Sequence, residues 1–200
     1  MFPLGTVLFP SAVLPLHVFE PRYRALVRDC LAAERELGVV LIERGSEVGG
    51  GDVRADVGTV AHIVEARELP DGRWALLTVG ARRMRIDAWL PDAPYPLADV
   101  VAWPDAAPGP GHDELAAAAL TRLRRVLALA AEAGDGAAPA TLELSEDPVL
   151  AVQQAAAVAP LGPFDRQRLL VASSPDARAT LLEELLTGVE EVLALRLAGG

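Results

Sequence analysis

Apolar and polar positions alternate in short runs over the first hundred residues, and after that the chain adopts a helical period. Phe2 to Phe9 and Leu14 to Val18 are apolar and rich in β-formers, and the break at Pro10-Ser11-Ala12 predicts two strands. Then the period changes. Tyr23, Leu26, Val27, Cys30 and Leu31 share one face of a helix, with Arg22, Arg24, Arg28 and Asp29 on the other side. Pro21 suits the first helical position, where its missing N–H does no harm, and Glu20 stands where a cap is expected. Gly38 closes this helical region, and Val39 to Ile42 reads as a buried strand. A loop over 44–56 surrounds Gly49-Gly50-Gly51. Beyond it, Gly58 to Leu69 and Arg73 to Val79 form two strands joined by Pro70-Asp71-Gly72, where proline presets φ and glycine accepts a positive one. Met84 to Leu90 and Leu97 to Trp103 extend the series. Many short strands with one early helix predict a small β-barrel over residues 1–104.

The pattern shifts at Pro104. Pro108-Gly109-Pro110-Gly111 places a linker over 105–112, and residues 113–200 read as a helical bundle. Asp113 is the expected cap of a helix carrying Leu120, Leu123, Leu127 and Ala130 on one face; Gly134 and Gly136 end it. Asp147-Pro148 starts a second helix running to about Ala159. Gly162-Pro163 starts a short third one with Leu169 and Leu170. Ser174-Pro175 starts the long last one, with Leu181, Leu182, Leu185, Leu186, Val189, Val192 and Leu193 as its face. The fold class is therefore α+β.

Composition narrows the function. Of 200 residues, 52% are hydrophobic, which supplies a core and excludes a disordered chain. The formal net charge is -10. Residues 1–104 carry 14 Asp+Glu against 11 Arg, and residues 105–200 carry 14 against 7, so neither half is basic. Nucleic acid is thereby disfavoured as a partner, because phosphate binding needs clustered cations. Every basic residue other than histidine is arginine. The absence of lysine removes Schiff-base chemistry, a Ser–Lys dyad and a phosphate-loop lysine. Cys30 is the single cysteine, compatible with a reducing compartment and incompatible with a disulfide framework. The apolar stretch from Met1 to Phe19 is broken by Pro3, Pro10 and Pro15 and lacks a basic lead, so it reads as strands, with no membrane role and a cytoplasmic setting expected.

No constellation for catalysis, metal or cofactor is expected. His17, His62 and His112 stand apart: the first two read as strand histidines, and His112 as part of a solvated linker. Cys30 lies in the apolar helix stripe and reads as a small hydrophobe. The glycines at 49–51 are followed by Asp52-Val53-Arg54 and lack the lysine of a phosphate cradle. Arg82, Arg83 and Arg85, with the last two on one strand face, read as solvated, as do Arg122, Arg124 and Arg125. Glu183, Glu184, Glu190 and Glu191 read as charged helix surface, and no Gly-x-Ser-x-Gly elbow is present.

Several strings are similar to the N-terminal domain of Lon proteases. They are Phe2-Pro3-Leu4, Val7-Leu8-Phe9-Pro10 and above all Leu14-Pro15-Leu16-His17-Val18-Phe19-Glu20-Pro21-Arg22-Tyr23. Gly38-Val39-Val40-Leu41-Ile42, Val57-Gly58-Thr59, Leu69-Pro70-Asp71-Gly72-Arg73 and Pro94-Tyr95-Pro96 agree as well. Arg83-Met84-Arg85-Ile86 resembles the family's Arg-Phe-Arg-Ile, with Met for Phe. Asp147-Pro148, Asp165-Arg166-Gln167 and Leu181 to Leu193 carry the likeness into the helical half. The resemblance implies a PUA-like barrel followed by a helical bundle, in a non-catalytic module that recognises unfolded or tagged polypeptides, here without the ATPase and peptidase. It further implies a Lon or another protease as a partner, and self-association is compatible with it. An RNA-binding PUA-like module and an enzyme of another type are the alternatives. Phe19, Glu20, Pro21, Arg22 and Tyr23 are read as structural: Glu20 caps, Tyr23 is buried, and Arg22 pairs with an acid across the barrel. Trp74, Trp89 and Tyr95 are the candidate polypeptide-binding side chains.

Overall fold

The structure, a computed structural model, describes residues 1–45, 51–136 and 138–199. Most of the glycine-rich loop, residues 46–50, therefore lies outside the described residues. The chain forms two compact units, Met1–Pro104 and Asp105–Gly200.

Unit 1 holds β1 (Phe2–Leu4), β2 (Val13–Val18), α1 (Pro21–Ala32), β3 (Glu36–Arg44), β4 (Val53–Glu68), β5 (Trp74–Leu90) and β6 (Leu97–Ala102). They build one mixed sheet in the order β1-β3-β4-β5-β2, with β6 also on β5. Among the described residues, only β1 with β3 is parallel. β2 pairs with the first third of β5 and β6 with its last third. The segment between β1 and β2 carries the chain from one end of the sheet order to the other. Thr59 Oγ1 donates to the Leu8 carbonyl at 2.5 Å, and Gly80 exchanges backbone bonds with Ser11 and Ala12. Phe9 is 1% exposed there, so this connection is core.

The sheet's inner face and α1 enclose the main core, including Phe2, Leu16, Val18, Tyr23, Val27 and Ile63. Each such side chain contributes roughly 1.5–3 kcal/mol by leaving water. α1 turns Tyr23, Leu26 and Val27 inward as the 3.6-residue period requires, while Cys30 and Leu31 are half-buried against the same cluster. A second cluster gathers Val40, Val60, Met84 and Ile86.

β5 departs from the sequence reading. Where two strands were expected, Arg73 to Val79 and Met84 to Leu90, one strand runs from Trp74 to Leu90. Its register against β4 slips twice, between Ile63 and Glu65 and again where Ala61 faces Gly80 and Val60 faces Arg82. The extra residue, Ala81, reverses the alternation, as a bulge does. Arg83 is 5% exposed, its guanidinium 4.7 Å from the Trp103 ring centroid, and is not a solvated partner of Arg85. Arg82 stays outside and holds both Glu36 oxygens at 2.6 and 2.7 Å. This hydrogen bonding keeps the Glu36 carboxyl below its ordinary range.

Unit 2 contains α2 (His112–Glu132), α3 (Pro148–Val158), α4 (Pro163–Val171) and α5 (Pro175–Ala198). α3, α4 and α5 all begin on proline; Asp147 and Ser174 accept backbone N–H bonds as true caps. α2 begins otherwise. Its cap position is Gly111 at φ 91, and Asp113 lies in the first turn without capping. α2 and α5 pack along each other, burying Leu123, Val126, Leu127, Leu182, Leu186 and Leu193.

Polar contacts within unit 2 correct three readings. His112 is 3% exposed, not solvated, and its Nδ1 lies 2.8 Å from Asp176 Oδ1. Glu190 is buried rather than superficial, and it holds Arg122 and Arg125, each at 2.6 Å. Arg122 also contacts Glu183 at 2.8 Å, so it too is engaged. The stretch read as a linker is tied down at Asp105, Gly109 and His112 by α5.

Candidate functional site

The sequence turns sharply where β2 ends and α1 begins, and the turn builds a cavity. Its volume is about 180 Å³. Phe2, Pro3 and Leu4 of β1 line it together with Pro15 to Val18 of β2, Phe19, Glu20 and Tyr23. Among the described residues, β1 pairs only with β3 and β2 only with β5, so the cavity is walled by both ends of the sheet order. Pro3 and Pro15 have no backbone N–H to offer, which discourages strand addition along these edges.

Packing fixes the walls. Phe2 stacks on Tyr23 with ring centroids 4.4 Å apart at 23°. The Arg22 guanidinium covers the Tyr23 ring at 4.5 Å, and Arg22 Nε donates to Glu20 Oε2 at 3.1 Å. Glu20 thus occupies the cap position of α1 without a capping bond, and its side chain serves Arg22 instead. That corrects the expected cap, and it gives Arg22 one acidic partner two residues away. Burial pushes the Tyr23 hydroxyl above its usual pKa, with Arg22 opposing. Phe19 alone among the five motif residues is a large apolar side chain left open, at 55% exposure.

The three aromatic candidates lie elsewhere. Trp74 and Tyr95 are half-buried against the main core, and Trp89 packs on the second cluster. The Trp74 indole N–H is buried without a hydrogen-bond partner. Arg54 lies 4.7 Å over the Trp89 ring, itself held to Asp52 by a bidentate contact of 2.5 and 3.2 Å. Asp52 is accordingly held below the usual carboxylate range by the Arg54 hydrogen bond. Tyr95 donates its hydroxyl to Asp29 Oδ2 at 2.6 Å. None of the three lines the cavity.

Tyr95 carries a pH signature. The Asp29 hydrogen bond, with burial adding to it, raises its pKa from 10.0 to about 12. A folded pKa above the unfolded one means that the contact contributes fully below pH 10 and is lost as pH rises through 12. Phenolate absorbance titration of the native protein should therefore show a component near 12 that Tyr95→Phe removes. A Tyr95 component at the ordinary value would contradict the contact.

The cavity is suited to holding an apolar group. Its linings are mostly carbon, and its volume of about 180 Å³ is below that of ordinary cofactor pockets. Cavities of roughly 150 Å³ take up a benzene-sized guest, so one large side chain fits. Cys30 does not line it, and burial pushes the Cys30 thiol up, away from the reactive thiolate. No group of three metal-ligating side chains exists among the described residues, and no helix there is long and apolar enough to cross a membrane. The signal that could have located this site was the pair Pro3 and Pro15, since proline within a strand-like run marks an edge.

A mixed sheet with one helix, followed by a unit of four helices among the described residues, defines an α+β fold. Residues 1–188 match the family described as the ATP-dependent protease La (LON) substrate-binding domain, and the chain belongs to that family. It is 31% identical over 195 residues to Lon protease 2 of Herpetosiphon aurantiacus, covering 96% of this chain and 24% of that protein. Lon protease of Anaeromyxobacter dehalogenans is 30% identical, with 96% and 23% covered. The chain thus spans about a quarter of the length of these curated relatives. A Lon N-terminal domain protein from Xanthomonas campestris shares the fold at TM-score 0.61 and 29% identity, covering 93% of this chain and 95% of that one. The N-terminal domain of a Mycobacterium avium complex Lon protease superposes at TM-score 0.66 with 20% identity, covering 92% and 96%, a likeness of fold.

Proposed function

We propose that the chain recognises unfolded or tagged polypeptides by seating one apolar side chain in the cavity between β1, β2 and the start of α1, without catalysis of its own. The observation that carries this reading is the 180 Å³ apolar cavity with Phe19 open at its lining. Family membership supports it, since the matched domain is described as substrate-binding. A Lon-type protease is the partner that the reading implies, and the setting would be cytoplasmic. Trp74, Trp89 and Tyr95 serve this reading as supports of the surrounding core, each with its ring already packed.

The test is binding of the purified protein to a labelled, permanently unfolded polypeptide, with the same polypeptide in folded form and a short RNA as controls. Saturable binding to the unfolded form alone is expected. Phe19→Asp should weaken it at least tenfold, roughly 1.4 kcal/mol, with the melting curve unchanged because the side chain is exposed. Phe19→Leu should keep most of the affinity. Absence of binding to the unfolded chain, or an undiminished affinity in Phe19→Asp, overturns the proposal. Binding of RNA that falls steeply with salt would move the site to the RNA-binding reading.

A further inference from the structure

A second apolar groove lies wholly within unit 2, far along the chain from the cavity just described. Its volume is about 390 Å³. Ala130 of α2, Pro160 and Leu161 between α3 and α4, and Leu185, Val189 and Val192 of α5 line it. Val192 is 58% exposed, and Leu195 on the neighbouring flank is 74% exposed. The lining residues of α5 run from Leu185 to Arg196, which is roughly 16 Å or three helical turns.

Two features say what covers it. The first is Gly188, at the middle of the groove's α5 wall. Glycine is costly in a helix interior and is retained where a backbone needs room or a close approach. Among the described residues, a Cβ at Gly188 would meet nothing within 4 Å. The missing side chain leaves the α5 backbone open to close approach by another helix.

The second feature is charge. Unit 2 carries 14 carboxylates against 7 arginines. Asp135 and Asp165 line the groove, each already engaging its own arginine, Arg196 at 2.9 Å and Arg168 at 3.0 Å. Glu184 and Glu191 stand exposed on the flank beside Leu195. An apolar trough set in an anionic unit is complementary to an apolar stripe bordered by cations.

We propose that this groove docks a basic amphipathic helix of a partner protein, its apolar stripe on Leu185, Val189 and Val192 and its cations toward the unit 2 carboxylates. The site is distinct from the unit 1 cavity and does not depend on it.

The probes are two labelled peptides of about five helical turns sharing one Leu/Ala stripe, the polar positions Lys/Arg in one and Glu in the other. Anisotropy titration of the full chain should show saturable binding of the basic peptide, at least tenfold tighter than the acidic one, and weakening as salt is raised. Gly188→Leu fills the notch with a good helix former, so the thermal transition is kept while basic-peptide affinity drops at least tenfold. Glu184→Arg with Glu191→Arg should narrow the preference between the peptides. Retained unfolded-chain binding by Gly188→Leu would separate this groove from the unit 1 reading, and failure of Phe19→Asp would bear only on that other site. Equal affinity for both peptides, or unchanged binding in Gly188→Leu, overturns the proposal. So does a dimer in sedimentation that Gly188→Leu abolishes, because the occupant would then be a second copy.

Discussion

Asp105→Ala is expected to cost unit 2 about 3–5 kcal/mol, the range seen when one partner of a buried ion pair is removed. Asp105 receives both terminal nitrogens of Arg178, at 2.7 and 3.1 Å, and the Gln153 amide at 3.0 Å. The Arg178 side chain is 1% exposed, so without Asp105 its charge has no route to water. Its Nε bond to the Leu169 carbonyl at 3.0 Å fixes it in place and compensates little. Arg178→Met should be milder, because the Asp105 side chain is 17% exposed and can rehydrate, and methionine keeps the apolar contacts. For a unit of this size the alanine variant should melt roughly 15 °C lower or more. Helical ellipticity is the signal to follow, since four of the five helices among the described residues belong to unit 2. Equal and small losses in the two variants would show that the pair adds nothing beyond its packing.

How far the sequence disclosed this arrangement depends on the distance over which each residue acts. The proline-led starts of α1, α3, α4 and α5 were legible because the signal is contained within one turn. The stripe of Tyr23, Leu26 and Val27 was legible for the same reason. Asp105, His112 and Glu190 were not. Their partners Arg178, Asp176 and Arg122 lie 73, 64 and 68 residues away, and nothing local marks a pair that exists only after α2 and α5 meet. The Pro-Gly stretch before α2 has the composition of a turn, and its anchoring to Asp176 of α5 has no local signal.

The candidate site was half legible. The string from Phe19 to Tyr23 drew attention as a motif and was assigned to structure, which suits Tyr23 and Arg22. What periodicity could not show is that β1 and β2, nine residues apart in sequence, sit at opposite ends of the sheet order and yet wall one cavity. Trp74, Trp89 and Tyr95 were named as candidate exposed apolar side chains, and their half-buried packing depends on strand pairing that no local pattern displays. Arg83 failed for a different reason. Its burial comes from Trp103, which reaches it only once β6 pairs with β5.

Gly80 is where the second large effect is expected. A Cβ there would collide with the Phe9 carbonyl, which is backbone and cannot swing aside. Gly80 N donates to Ala12 O at 2.9 Å, and Ser11 N donates to Gly80 O at 2.7 Å. These bonds hold the crossing segment, whose Ser11 has a φ of 64, against β5. Gly80→Val must therefore push the crossing segment off the sheet, separating Phe9 from its core and breaking both bonds. Overpacking alone costs about 1–3 kcal/mol, and each lost backbone bond adds roughly 1 kcal/mol. Because β2 follows directly from this segment, the cavity wall at Pro15 to Val18 should move with it, and polypeptide binding should weaken along with stability. All three tryptophans, Trp74, Trp89 and Trp103, lie in unit 1, so urea unfolding followed by their fluorescence reports this unit selectively. A midpoint that falls together with affinity supports the crossing segment as the element that shapes the site. If the midpoint falls while the remaining folded protein binds as before, the cavity does not depend on the crossing, and recognition must be carried by the α1 side of the wall, around Phe19 and Tyr23.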